Sequence, residues 1–346
     1  MSVKHRKKYT FMNTSRVVSS LLTILVIAIA ALAAFSDIFA LNSEPAPEPP
    51  PPLEELIPPG DREDKHVNIR VLAGDHYENM SMERYLIGVL AAEMPASFEP
   101  EALKAQAVAA RTYAAFLMRA PAKELHPDAD VCTDPSCCAA YYSDARLRDR
   151  WEDSYVDNIA GIIDAVVSTS GICMLYEGAP IEAVFHSSSA GMTEASGEVW
   201  ATGLPYLSSV DSPETAEDTP GYISVVSVSS GEFTDAIRRA YPEAVFDGAD
   251  ESQWITDVVY TESGRIGEIT IGGVAVRGTG LRSMFSLRST AVTIEYDDGN
   301  IVFTVTGYGH GVGMSQYGAN VMAAAGSSYA DILRHYYHGV TLANYR

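Results

Sequence analysis

The stretch Met82-Glu-Arg-Tyr-Leu-Ile-Gly-Val-Leu-Ala-Ala-Glu93-Met-Pro95 decides how this chain is read. Leu86, Val89 and Leu90 fall at i, i+3 and i+4, and Glu93 follows at i+7, so a carboxyl continues the apolar stripe of a helix. Pro95 stops that helix just beyond Glu93 and places it in the last turn, where the helix dipole is negative. Apolar neighbours and a negative helix end both disfavour the charged form, so the sequence predicts a raised pKa. A carboxyl that keeps its proton near neutrality suits general acid catalysis. The competing reading is a helix-terminal glutamate turned to water, the usual fate of acidic residues on helices.

On the N-terminal side the chain is set apart by charge. Lys4, Arg6, Lys7, Lys8 and Arg16 are followed by uncharged, mostly apolar residues 17–34. The expectation is a cytoplasmic basic tail (1–16) and a transmembrane anchor (17–41), with the remainder on the extracytoplasmic face. A cleaved signal peptide is the alternative, because Ala31, Ala33 and Ala34 offer small residues. Residues 42–64 read as a stiff, proline-rich linker that holds a body spanning 65–346 away from the membrane. The first sixteen residues hold no acid, so the excess of 45 acidic over 24 basic residues lies in the exported part. That balance disfavours nucleic acid and anionic lipid as partners.

The body reads as α+β, with helices early and late packed around antiparallel sheet. A strand near 66–72 precedes the Glu93 helix. Further helices are predicted at about 100–118 and 144–167. From residue 172 short alternating strands take over, at 174–176, 181–185, 222–228, 257–260, 266–271, 292–295 and 301–305. A helix at 233–240 interrupts them, Asp298-Gly299 signals a hairpin, and two helical stretches (316–325 and 329–337) close the chain.

Three of the four cysteines lie within seven residues, which is unlike a dispersed disulfide framework. His126, Cys132, Cys137 and Cys138 form a candidate zinc set, since thiolates and imidazole together favour that metal. Four such ligands leave no open position, so the zinc is expected to be structural. Buried free thiols, or a Cys132–Cys138 disulfide, are the alternatives. Two loops rich in glycine, serine and histidine also stand out: His186-Ser-Ser-Ser-Ala-Gly191 and Gly307-Tyr-Gly-His-Gly-Val-Gly-Met-Ser-Gln-Tyr-Gly-Ala319. Neither has the lysine of a phosphate loop. A triad using Ser188 and His310 is conceivable, but the Gly-x-Ser-x-Gly elbow is missing.

Glu93-Met-Pro95, Ala102-Leu-Lys-Ala-Gln-Ala-Val-Ala-Ala-Arg-Thr-Tyr113 and the two loops together resemble the stage II sporulation protein D family. That family comprises membrane-anchored lytic transglycosylases of engulfment during endospore formation. The resemblance covers the chain from about residue 67 onward, and its last motif is long enough to be specific. It implies that Glu93 is the catalytic acid, that the substrate is peptidoglycan glycan stripped of stem peptides, and that zinc is structural where the ligands occur. A His/Cys pair also occurs in the family where this chain has Cys137-Cys138, which leaves the choice of ligand atoms open. The implied partners are stage II sporulation protein P, an amidase, and stage II sporulation protein M, a polytopic tether. Arg111 is expected to bind substrate or position Glu93, the rival role being a surface ion pair; Ser188 and Gln316 are candidate sugar contacts. Two other functions compete. One is a non-enzymatic, wall-binding amidase enhancer. The other is a zinc amidase or peptidase, disfavoured by the lack of His-Glu-x-x-His.

Overall fold

The computed structural model describes residues 25–31, 50–247 and 251–344. The chain divides between Pro50 and Pro51. On the N-terminal side, residues 25–31 are helical; the rest of the expected tail and anchor lies outside the described residues. Among the described residues no helix is long and apolar enough to cross a membrane.

The body starts earlier than the sequence suggested. Helix α1 (Leu53–Leu56) buries Leu53 in the main core, and α2 (Glu63–His66) follows at once. Arg62 grips the buried Glu83 with two hydrogen bonds, at 2.6 and 3.2 Å. The segment from Leu53 to Asp64 is therefore packed structure and not a free linker; its prolines hid the leucine anchor and the buried acid.

Strands β1 (Asn68–Ala73) and β2 (His76–Ser81) form a hairpin that turns at Gly74, where φ is +63°. β2 runs directly into α3 (Met82–Glu93), the helix read from sequence, and the Ser81 hydroxyl caps it by accepting from Arg84 N at 3.3 Å. Helix α4 (Pro100–Leu117), begun by Pro100, is the central post of the body. Its run of alanines lets α3 and the later helices α6 (Tyr155–Ser168), α10 (Gln316–Ala324) and α11 (Tyr329–Tyr336) approach closely. The helix expected at 144–167 is broken: α5 (Asp144–Trp151) ends at Glu152, which has φ +44°, and α6 follows.

The sheets are small. β3 (Val131–Cys132) adds in parallel to β1, and β4 (Ile172–Tyr176) lies between β5 (Ala179–Pro180) and β14 (Thr341–Asn344). The strand expected at 181–185 shrinks to β6 (Phe185–His186), paired in parallel with β13 (Met314–Ser315). Residues 223–306 hold a second hydrophobic core. There β7 (Ile223–Ser229) pairs with β12 (Asn300–Thr306), which pairs with β11 (Ala291–Asp297), and Asp298-Gly299 makes the predicted turn. Beside them stand β8 (Ile255–Tyr260), β9 (Ile266–Ile271) and β10 (Val274–Arg277), with helices α8 (Ser230–Ala240) and α9 (Gly278–Met284). Phe233, Phe285 and Phe303 stack at the centre of this core, with ring centroids 5.1–6.4 Å apart. The expected class holds in outline: mixed α and β, with mostly antiparallel pairs in several small sheets.

Candidate functional site

Glu93 is the last residue of α3, partly buried, with both carboxylate oxygens engaged. Oε1 accepts from the backbone N–H of Ala140 at 2.7 Å, and Oε2 accepts from Gln316 Nε2 at 3.2 Å. Burial pushes its pKa up, as the sequence predicted, and the two donors oppose that rise by favouring the charged form. Neither partner is another carboxylate, so the group titrates without sharing its proton with an adjacent acid.

Each donor arrives on its own loop. Ala140 belongs to a segment that packs on α3 at Gly88, where any side chain would fall 2.2 Å from the Tyr141 ring. Tyr142 N donates to Gly88 O at 3.1 Å and fixes the same contact. A glycine inside an apolar helix marks such a close approach. That was the available signal for this contact, whereas nothing in the sequence points to the Ala140 amide.

Gln316 is presented by β13 and the start of α10. Gly313, at φ +70°, lets this strand pass the neighbouring segment, since a Cβ there would sit 2.1 Å from Val184 O. Tyr317 N donates to Ser187 O at 3.1 Å, so the two glycine-rich loops lie side by side. Gln316, a candidate sugar contact by sequence, donates through its carboxamide to Glu93 directly.

Two other expectations change. Arg111 is fully buried and does not reach a cleft. Its Nε donates to Asp64 Oδ2 at 2.8 Å, Nη1 to Ile172 O at 3.2 Å, and Nη2 to Val166 O at 3.1 Å. It is a structural ion pair, because every face of its helix is covered. Ser188 is 2% exposed. Its backbone pairs with Tyr308 in both directions, and its hydroxyl is buried without a hydrogen-bond partner among the described residues, so it presents no sugar contact. Nor does Ser188 join His310. The nearer pair is Ser189 with His186: the ring Nδ1–H donates to Val312 O at 3.2 Å, and Nε2 then accepts from Ser189 Oγ at 2.7 Å. Both residues are buried, and burial pushes the His186 pKa well down, as befits a neutral structural ring.

The four metal candidates do converge. One donor atom from each of His126, Cys132, Cys137 and Cys138 lies within 4.8 Å of the others. Cys138 Sγ stands 3.8 Å from Cys137 Sγ and 3.3 Å from His126 Nε2. A tetrahedral zinc with Zn–S near 2.3 Å has ligand–ligand edges of about 3.7 Å, so the spacing suits it. All four cysteines are free, and the Cys132–Cys138 disulfide does not form. His126 Nδ1–H donates to Ala129 O at 3.0 Å, which turns Nε2 toward the sulfurs. The residues present fit a structural zinc with no open position, and the last ligand is only two residues from Ala140.

A family model described as stage II sporulation protein matches residues 74–176. The chain is 39% identical to stage II sporulation protein D of Bacillus amyloliquefaciens, over 77% of this chain and 75% of that one. It belongs to the stage II sporulation protein D family. The same protein of Bacillus subtilis (strain 168) is 37% identical, with 78% and 77% covered. An amidase enhancer of Bacillus subtilis (strain 168) is 31% identical over 75% of this chain but only 40% of that protein. Within this family member, the matched stretch 74–176 contains Glu93, Ala140 and all four metal candidates, whereas Gln316 enters from far beyond it.

Proposed function

We propose that this sporulation protein is a lytic transglycosylase that cleaves the bond between N-acetylmuramic acid and N-acetylglucosamine in peptide-stripped glycan. The observation that carries the reading is the Glu93 carboxyl: raised by burial, yet held by two N–H donors. Protonated, it donates to the glycosidic oxygen. The carboxylate so formed is stabilised by the Ala140 and Gln316 donors and removes the proton from the muramic C6 hydroxyl. That hydroxyl closes on C1 and leaves a 1,6-anhydro end. One carboxyl suffices because the nucleophile belongs to the substrate, unlike the paired carboxylates of ordinary glycosidases.

His126, Cys132, Cys137 and Cys138 would hold a structural zinc, which would tie down the loop that supplies the Ala140 amide. We read the chain as a single-pass membrane protein of the mother-cell membrane around the forespore, N-terminus in the cytoplasm; the uncharged, mostly apolar residues 17–34 behind a basic tail support that reading. Stage II sporulation proteins P and M are its proposed partners, the first because an enzyme that works on stripped glycan needs an amidase upstream. The name of one relative, amidase enhancer, supports a second reading: that the chain binds wall and stimulates an amidase without cleaving glycan.

Mass analysis of products from peptide-stripped sacculi separates the two. Anhydro-disaccharides are expected from the wild-type chain. Glu93→Gln should lose at least about a hundredfold in rate, the scale of acid–base catalysis, while still binding glycan. Near-normal turnover by that variant, or amidase stimulation without anhydro products, would overturn the proposal.

A further inference from the structure

The metal set carries an uneven charge. Three thiolates and a neutral imidazole around a divalent ion leave a net charge of about −1, and His126 and Cys132 are buried. A buried negative site needs donors directed at its sulfurs or a cation beside it. Part of that support comes from the backbone: the N–H of Asp134 faces the Cys132 thiol, and the N–H of Cys132 faces Cys138. Cys132 N is available because, in the parallel pairing of β3 with β1, Asp130 N and Thr133 N make the contacts to β1.

The cation is Lys123, in the loop after α4. Its ammonium lies 3.7 Å from Cys138 Sγ and 3.9 Å from Cys137 Sγ, and it also donates to the Cys137 carbonyl oxygen. The Tyr113 ring sits beneath it, with the centroid 6.0 Å from Nζ. Glu182 is the acid that feels the charge of this lysine. The two sulfurs, one carbonyl and the Tyr113 side chain therefore hold the ammonium.

We infer that Lys123 is the charge-balancing member of the metal site: its ammonium offsets the excess negative charge of the three thiolates. The inference rests on the zinc reading above. A plainer role, tethering the loop through the Cys137 carbonyl alone, predicts different behaviour.

The test uses the full chain as wild type, Lys123→Met, Lys123→Gln and Lys123→Arg. Zinc affinity is read by competition with a chromophoric chelator, and the ligand set by the sulfur-to-metal charge-transfer band after cobalt(II) substitution. Lys123→Met and Lys123→Gln should each bind zinc about 10–100-fold more weakly. The Gln variant tracks Met because it keeps a donor but not the charge, and Lys123→Arg should stay close to wild type. The charge-transfer intensity per cobalt should be the same in all four, since the ligands do not change. Wild-type affinity in the Met and Gln variants would overturn the inference, as would recovery in Gln alone or loss of about a third of the band. A wild-type chain that binds no zinc would overturn the metal reading itself, a result distinct from these.

Discussion

Asp64→Asn tests the least expected feature of the fold, a buried ion pair built from what reads as linker. Asp64 Oδ2 accepts from Arg111 Nε at 2.8 Å, and Oδ1 accepts from Gly171 N at 3.2 Å. Both side chains are fully buried. An asparagine can satisfy only one of the two donors with its oxygen, and its own NH2 faces the other. The guanidinium stays charged and loses its counter-ion. Breaking a buried pair in this way costs about 3–5 kcal/mol, a large share of the roughly 5–15 kcal/mol that holds a domain together. At about 2 °C per kcal/mol for a body of this size, Tm should fall by roughly 6–10 °C. Scanning calorimetry of the full chain measures it. The double variant Asp64→Leu with Arg111→Met should recover much of the loss, because an apolar pair of similar volume replaces the charges without desolvation. Deleting residues 1–50 should leave the melting of the body unchanged. Deletion through residue 64 should destabilise it, since Leu53, Arg62 and Asp64 all go. A fall in Tm of less than about 1 °C for Asp64→Asn, or a double variant no better than the single, would refute the argument. An unchanged Tm with a raised KM would return Arg111 to the substrate site.

Two further outcomes concern Glu93. Gln316→Leu removes a donor to the carboxylate, so the acid form is favoured further; the acid must be protonated to act, and the alkaline limb of the pH–rate profile should therefore move to higher pH, a downward move being the refuting result. Cys138→Ser should lose about one equivalent of zinc and lower Tm, and it should slow glycan cleavage because the Ala140 amide loses its anchor; full activity without zinc would show that the loop holds itself.

What was legible in the sequence follows the range of the interactions. The Glu93 helix was readable because its stripe and its stopping proline are local, and so was the turn at Asp298-Gly299. The metal set was readable because all its ligands fall between residues 126 and 138. Arg111 was misread because its environment is set by Asp64 and by carbonyls of residues 166 and 172, none of them near it in sequence. Its position on a helix left surface and interior equally open until the other helices were in place. Residues 53–64 were misread for the opposite reason: their local composition is that of a linker, and only the leucine in the core and two buried ion pairs overrule it. Lys123 carries no pattern at all, because one basic residue in a loop says nothing about the sulfurs it meets.

The two donors to Glu93 come from 47 and 223 residues away in the chain. Each pulls against the burial that the helix imposes, and that opposition bears on the proposed chemistry. A carboxyl that is only desolvated holds its proton too firmly to deliver it, and one that is only hydrogen-bonded gives it up before substrate arrives and is a weak base afterwards. The proposed reaction asks the same group to act first as acid and then as base, so neither extreme serves. The loop that carries Ala140 and the glycine-rich motif reach opposite oxygens, so fixed dipoles support the loss of the proton while burial supports its recovery. Strengthening either donor should lower the proton affinity of Glu93, so that it releases its proton more readily but is a weaker base afterwards, and weakening it should do the reverse. The distance in sequence between the three segments is therefore part of the function: it lets the fold set the Glu93 proton affinity from two independent sides.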